Sequence, residues 1–118
     1  MALNQQLISS RFPYLPIRLQ VRQEIYEEQA LLDTGFEGDM AVPQILFEGQ
    51  EPDWYQRWTL AEGSQIVAPV YRSTVQLGEF QPVSVLVIAM GEEYLIGLGV
   101  LIRFSILFDH GERIVVNL

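Results

Sequence analysis

The chain contains no cysteine, a single histidine, and seven basic side chains against fifteen acidic ones. Without cysteine there is no disulfide framework, no thiolate nucleophile and no sulfur-ligated zinc. A formal net charge of −8 repels phosphate backbones and offers no basic stripe, which argues against nucleic-acid partners and against docking on anionic membranes. The longest apolar run, Val85 to Met90, is far shorter than the ~20 residues of a membrane helix. The opening Met1-Ala2-Leu3-Asn4-Gln5-Gln6 lacks the basic and then apolar pattern of a signal peptide. These absences lead us to expect a soluble, cytoplasmic protein.

What is present suffices for one core. At 118 residues, 49% of them apolar and 11% aromatic, the expectation is a single domain over residues 1–118. Period-two alternation from Leu15 to Val21 puts Leu15, Ile17, Leu19 and Val21 on one face of a strand. Ile25 to Leu32 reads as its partner, ending in the continuously apolar Ala30-Leu31-Leu32. Phe36 to Asp39 is turn-like, and Met40 to Pro43 is a short apolar piece. Residues 44 to 54 suit no more than one helical turn.

Trp58-Thr59-Leu60 and Gln65-Ile66-Val67 flank Ala61-Glu62-Gly63-Ser64, the pattern of an exposed hairpin with glycine at its tip. Strands are expected from Val70 to Leu77 and Phe80 to Ile88, joined tightly through Gly78-Glu79. A short helix suits Leu98 to Phe104, and Ile106 to Phe108 with Ile114 to Val116 suits a self-contained terminal hairpin. Many short strands with almost no helical periodicity predict an all-β barrel or sandwich. Leu31-Leu32-Asp33-Thr34-Gly35 and Leu95-Ile96-Gly97-Leu98-Gly99 share two aliphatics running into a glycine-containing break, an echo that chance could also supply.

Asp33-Thr34-Gly35 carries the chemistry, because it sets a carboxylate at the end of an apolar strand. Burial of a lone carboxylate is costly. Two facing carboxylates cannot both ionise, so they share a proton, one drawing a proton from water while the other polarises a carbonyl. That chemistry needs no metal and no cofactor. Thr34 would fix the carboxylate through its hydroxyl and Gly35 would allow close backbone approach. One Asp-Thr-Gly per chain, with glycine in the echo, requires a second chain on a twofold axis.

These residues resemble the retropepsin-like aspartic proteases, in particular their small single-domain microbial members. The resemblance spans nearly the whole chain and rests on Ala30 to Phe36, on Leu60 to Ser64, and on Tyr94 to Leu101. It implies a closed acid-protease β barrel with a flap hairpin and one short helix near the C-terminus. It also implies a homodimeric endopeptidase acting on peptides or proteins. Catalytic roles fall on Asp33, Thr34 and Gly35, and substrate contacts on Phe36, Ala61, Glu62, Gly63 and Ser64. Phe36 departs from the small alanine common in viral relatives, and Leu98 replaces their arginine, removing an ion pair.

Other readings weigh less. Asp33 as a plain turn aspartate is ordinary Asp-x-Gly chemistry. A catalytically inactive barrel used for dimerisation or peptide binding keeps the same architecture. A metal site from Asp33, Glu37 and Asp39 has fewer oxygen ligands than hard-cation loops usually offer. Gly97-Leu98-Gly99 lacks the third glycine of a dinucleotide fingerprint. His110 reads as a solvated turn residue, and Trp54, Tyr55 and Trp58 as packing beneath the hairpin rather than gripping substrate.

Overall fold

Strand β2 (Tyr14–Val21) alternates as its sequence predicts, with Leu15, Ile17, Leu19 and Val21 all buried. In this computed structural model, which describes residues 5–118, its antiparallel partner is β3 (Glu24–Leu32), with Leu15 opposite Ala30 and Val21 opposite Glu24. The other strands are β1 (Gln6–Ser9), β4 (Met40–Val42), β5 (Trp54–Thr59), β6 (Gln65–Gln76), β7 (Val83–Ala89), β8 (Leu95–Ile96), β9 (Ser105–Asp109) and β10 (Arg113–Asn117). One helix, α1 (Leu98–Leu101), follows β8.

Six strands close on themselves in the order β2-β3-β8-β4-β7-β6, because β6 pairs back onto β2 from Ser73 to Gln76. Closure removes the exposed edges that an open sheet would present. The interior is filled by large apolar side chains, among them Leu15, Leu19, Met40, Phe80, Ile96 and Ile114. Two of the pairings, β3 with β8 and β4 with β7, are parallel. Their central position explains why Met40-Ala41-Val42 is apolar on both faces and buried throughout.

β6 is long enough to serve two structures. Its last half lies in the barrel, while its first half extends outward and pairs with β5, from Thr59 opposite Gln65 to Trp54 opposite Val70. The predicted hairpin arm is therefore present, with Leu60 to Ser64 at its tip.

Four local expectations change. The terminal hairpin is not self-contained: β1 pairs antiparallel with β10, so β1, β10 and β9 form a separate three-stranded sheet. The period-two signal of Gln6 to Ser9 was too short to be read alone, and it is the apolar inner row of Leu7, Val116 and Ile106 that draws it in. The link between β6 and β7 runs through residues 77–82 rather than a two-residue turn, because Phe80 drops into the core. Residues 44 to 50 form successive turns closed by Leu46, Glu48 and Gln50 amides donating to Pro43, Ile45 and Phe47 carbonyls, not a helical turn. The helix stops at Leu101, earlier than Phe104, in a chain whose next residue Ile102 is exposed.

Candidate active site

β3 and β8 lie side by side with Leu31 opposite Leu95 and Leu32 opposite Ile96. The repeated aliphatic pair in the sequence thus has a structural counterpart: the two copies leave the sheet together, one into Asp33 and the other into Gly97. The Asp33 amide donates to the Ile96 carbonyl at 2.9 Å, and the Leu31 amide to the Tyr94 carbonyl at 2.8 Å. Beside this, burial pushes the Tyr94 phenol up to about 12, with Glu28 and Tyr26 adding to the effect.

The Asp33 side chain is half-buried, and its Oδ1 accepts a hydrogen bond from the Gly35 amide at 2.9 Å. A side chain on Gly35 would press on that same oxygen at 3.3 Å. Oδ2 meets no donor among the described residues. Thr34 and Gly35 are exposed, and the Thr34 hydroxyl likewise has no partner among the described residues. The turn closes with the Phe36 amide donating to the Asp33 carbonyl at 3.3 Å.

Beyond this turn the chain is clamped to the segment after β8. The amides of Gly97, Leu98 and Gly99 donate to the carbonyls of Asp39, Phe36 and Gly38 at 2.8, 2.9 and 3.1 Å. So close an approach explains both glycines. A Cβ on Gly97 would strike the Gly38 carbonyl and the Phe36 ring, and one on Gly99 would strike the Asp39 carboxylate. Gly97 and Gly99 are packing glycines, which accounts for the incomplete dinucleotide-like spacing. Asp39 is held on its other side by the Leu86 amide, which donates to Oδ2 at 2.9 Å. Asp33, Glu37 and Asp39 are not drawn into a metal cluster, and no such group of three occurs among the described residues.

Phe36 does not project freely. Its ring packs against Trp58 of β5, with centroids 5.6 Å apart, and over Gly38. The hairpin arm and the Asp33 loop therefore touch within one chain. At the tip, Gly63 adopts φ +99°, which favours glycine. Ala61, Glu62, Gly63 and Ser64 are all exposed, well out along the arm from Asp33. The Ser64 amide donates to Glu62 Oε2 at 3.0 Å and the Ser64 hydroxyl also bonds this carboxylate, which holds Glu62 below the usual carboxyl range. Of the three arm aromatics, Trp58 packs inward as expected. Trp54 is half-buried with the Arg72 guanidinium 5.1 Å from its ring, whereas Tyr55 is 64% exposed. His110 is exposed in the β9–β10 turn, bonded to Asp109.

The sequence points to Trp58 only as packing and to Asp39 only through a disfavoured metal site. Together with Gly38, Gln56, Val70, Leu86 and Ile88 they line a cavity of about 90 Å³ beneath the arm. A larger open hollow of about 610 Å³ lies along β2 and β3, but none of the residues 33–39 lines it. Of these two, the smaller one adjoins the loop carrying Asp33, through Gly38 and Asp39.

A closed six-stranded barrel, a hairpin arm whose Trp58 packs on Phe36 beside an Asp-Thr-Gly turn, and a short helix after β8 define a retropepsin-like fold. Among solved structures, a retropepsin-like aspartic protease from Rickettsia conorii superposes with a TM-score of 0.61 at 19% identity, over 94% of this chain and 98% of that one. The protease of Simian foamy virus (mac) is similar over 71% of this chain and 88% of that chain, with a TM-score of 0.49 and 19% identity. No family model matches the chain, and no curated protein does so. Among the described residues no helix is long and apolar enough to cross a membrane.

Proposed function

We propose that residues 1–118 act as one aspartic endopeptidase domain, working as a homodimer in the cytoplasm, in which Asp33 from each of two chains activates water for peptide hydrolysis. The observation that carries this reading is the state of the Asp33 turn. One carboxylate oxygen is oriented by the Gly35 amide while the other has no donor, in a turn whose next two residues are exposed. The Gly35 bond alone is what an ordinary turn aspartate also makes. What supports catalysis is that this turn ends a barrel strand pinned to β8 through the Asp33 amide, in a retropepsin-like fold, with an oxygen free for a facing carboxylate or a water. In a pair, one aspartate is base and the other acid, and no covalent intermediate forms. Thr34 would bond across the twofold axis, and the arms, with Ala61 to Ser64 at their tips and Phe36 at their base, would cover an extended peptide.

The need for a second copy finds support in the β1-β10-β9 sheet. Its outer face carries a polar row of Gln6, Asn117 and Ser105, then an apolar row of Ile8, Val115 and Leu107, then Arg113 bonded to Asp109. Ile8 and Leu107 are about half exposed. This face has no net charge, so the whole −8 lies elsewhere on the chain. Two strongly acidic copies can approach through a neutral, apolar face with the least repulsion. The sheet also adjoins the site: Phe108 packs edge-on to Phe12 at 5.6 Å, and the neighbouring Pro13 carbonyl accepts from the Leu32 amide at 3.0 Å, one residue before Asp33.

Incubation of purified protein with an unbiased peptide library across pH, with and without a transition-state analogue of aspartic proteases, tests the reading. Cleavage blocked by the analogue supports it. Dimerisation or peptide binding without cleavage at any pH would favour the inactive-barrel alternative.

A further inference from the structure

Phe36 stands between the Asp33 turn and the arm, and its ring has little freedom. One edge lies on Gly97, where an added Cβ would come within 2.6 Å of Cδ2, and another on Gly38, where an added Cβ would come within 2.5 Å of Cζ. A third contact is Trp58 of β5, at 5.6 Å between ring centroids. The same Gly38 position would meet Trp58 Cη2 at 3.0 Å, so the two rings and the glycine converge at one point. Two walls of this socket come from the clamp between residues 36–39 and 97–99, and the third comes from the arm.

Tryptophan carries a cost as that third wall. Its indole N–H is shielded from solvent and has no acceptor among the described residues, a loss of about 1–3 kcal/mol that phenylalanine would not incur. What the larger side chain adds is reach, because its ring extends from β5 to Phe36 and Gly38.

The turn that carries the carboxylate is held unevenly. Before it, the Asp33 amide is fixed to the Ile96 carbonyl at 2.9 Å. After it, the turn closes through the Phe36 amide and the Asp33 carbonyl at 3.3 Å, a longer bond than those of the clamp. Leu98 anchors the Phe36 carbonyl at 2.9 Å, which fixes one point of residue 36 and not its orientation. Orientation falls to the ring, and Trp58 seats the ring.

We propose that Trp58 and Phe36 are positioning residues: the arm of each chain, through Trp58, seats the Phe36 ring and thereby sets the orientation of the Asp33 carboxylate in that chain. The proposal rests on the hydrolase reading for its consequence in catalysis. It gives the base of the arm a task separate from covering a peptide, in which the exposed tip from Ala61 to Ser64 has no part.

The test has two arms. The first is kinetic, because a displaced carboxylate slows the chemical step more than it weakens peptide binding. Trp58→Val keeps a strand-forming side chain that no longer reaches Phe36, and should lower kcat about tenfold while KM stays within about twofold. Phe36→Ala should do the same, and the double variant should be no slower than the slower single one, since both act through one contact. Trp58→Phe, which shortens the reach less, should show the same pattern at smaller size. Tyr55→Ala is the control, on the opposite face of β5 and 64% exposed in the wild type.

The second arm follows amide hydrogen exchange by NMR and needs no cleavage. In Trp58→Val the Phe36 amide should exchange about tenfold faster, while the Asp33 amide, held by the barrel, keeps its rate. The Tyr55→Ala control should alter neither. An unchanged Phe36 amide in both Trp58 variants overturns the positioning role, as does a raised KM at constant kcat or a double variant whose losses simply multiply. Each of these leaves the hydrolase reading standing. Faster exchange confined to Phe36 in a protein that cleaves nothing would uphold the seating of the turn by Trp58 and remove the hydrolase reading.

Discussion

Leu32 and Ile96 are direct partners in two parallel strands, so Asp33 and Gly97 emerge from the barrel as neighbours. The backbone supports the carboxylate from the side where its own echo has only a hydrogen. This arrangement gives the acid a rigid base and leaves room for the Phe36 loop above Gly97.

Asp33→Asn should fold and associate as the wild type does, because the amide preserves shape and can still accept from the Gly35 N–H. Peptide cleavage should fall by about 10²–10⁴-fold or more, as expected when a proton-transferring group is lost. Circular dichroism, sedimentation and a cleavage assay on one preparation check all three. Undiminished cleavage would dispose of the mechanism.

The active protein should show a bell-shaped dependence of cleavage on pH, with an optimum in the acidic to neutral range. A pair sharing one proton fails when it gains a second or loses the first. A flat profile between those limits would contradict a carboxylate pair.

Gly97→Ala should destabilise the chain by about 1–3 kcal/mol or more, since the new methyl meets the Gly38 carbonyl and the Phe36 ring. Gly63→Ala provides the contrast. Its methyl meets nothing within 4 Å, so the loss should be limited to the roughly 1–2 kcal/mol of a positive φ. Urea unfolding of the two variants measures the difference, and equal losses would argue against the clamp between residues 36–39 and 97–99.

Leu107→Glu places a carboxylate on the neutral sheet face, at a position already 57% exposed, so folding should be kept. Association should weaken on the order of 10²-fold, because each copy would bury an unpaired charge at about 1–3 kcal/mol or more. Light scattering across a concentration series would reveal this. A variant as dimeric as the wild type would remove this face from the interface.

At the arm tip, the Ser64 hydroxyl and amide stabilise ionised Glu62 and hold its carboxyl below the ordinary value. A depressed folded value means that the turn's contribution is present above the unfolded glutamate range and is lost as pH falls through the folded value. Ser64→Ala should move the Glu62 titration, followed by carbon NMR, back towards that of a free glutamate. No movement would show that the amide bond alone sets it.

Much of the fold was legible from alternation alone. Leu15 to Val21 could only bury one face, and Met40 to Val42 had no polar residue to turn outward. The hairpin at Leu60 to Ser64 was visible because glycine at a tip has a local cause. By contrast, β1 gave no readable signal, since four residues acquire meaning only when β10 lies beside them.

The sequence by itself determined the chemistry on offer: one carboxylate in an Asp-Thr-Gly turn, no thiol, and a strongly acidic chain. Those properties belong to residue types and their immediate neighbours. Only the tertiary structure decided that Gly97 and Gly99 are cradles for the Phe36 loop and Asp39, and that Trp58 comes down on Phe36. It also set the charge-free rows of one small sheet on a common face. Those are relations between segments distant along the chain, created by strand pairing and register, and no local pattern of residues encodes them.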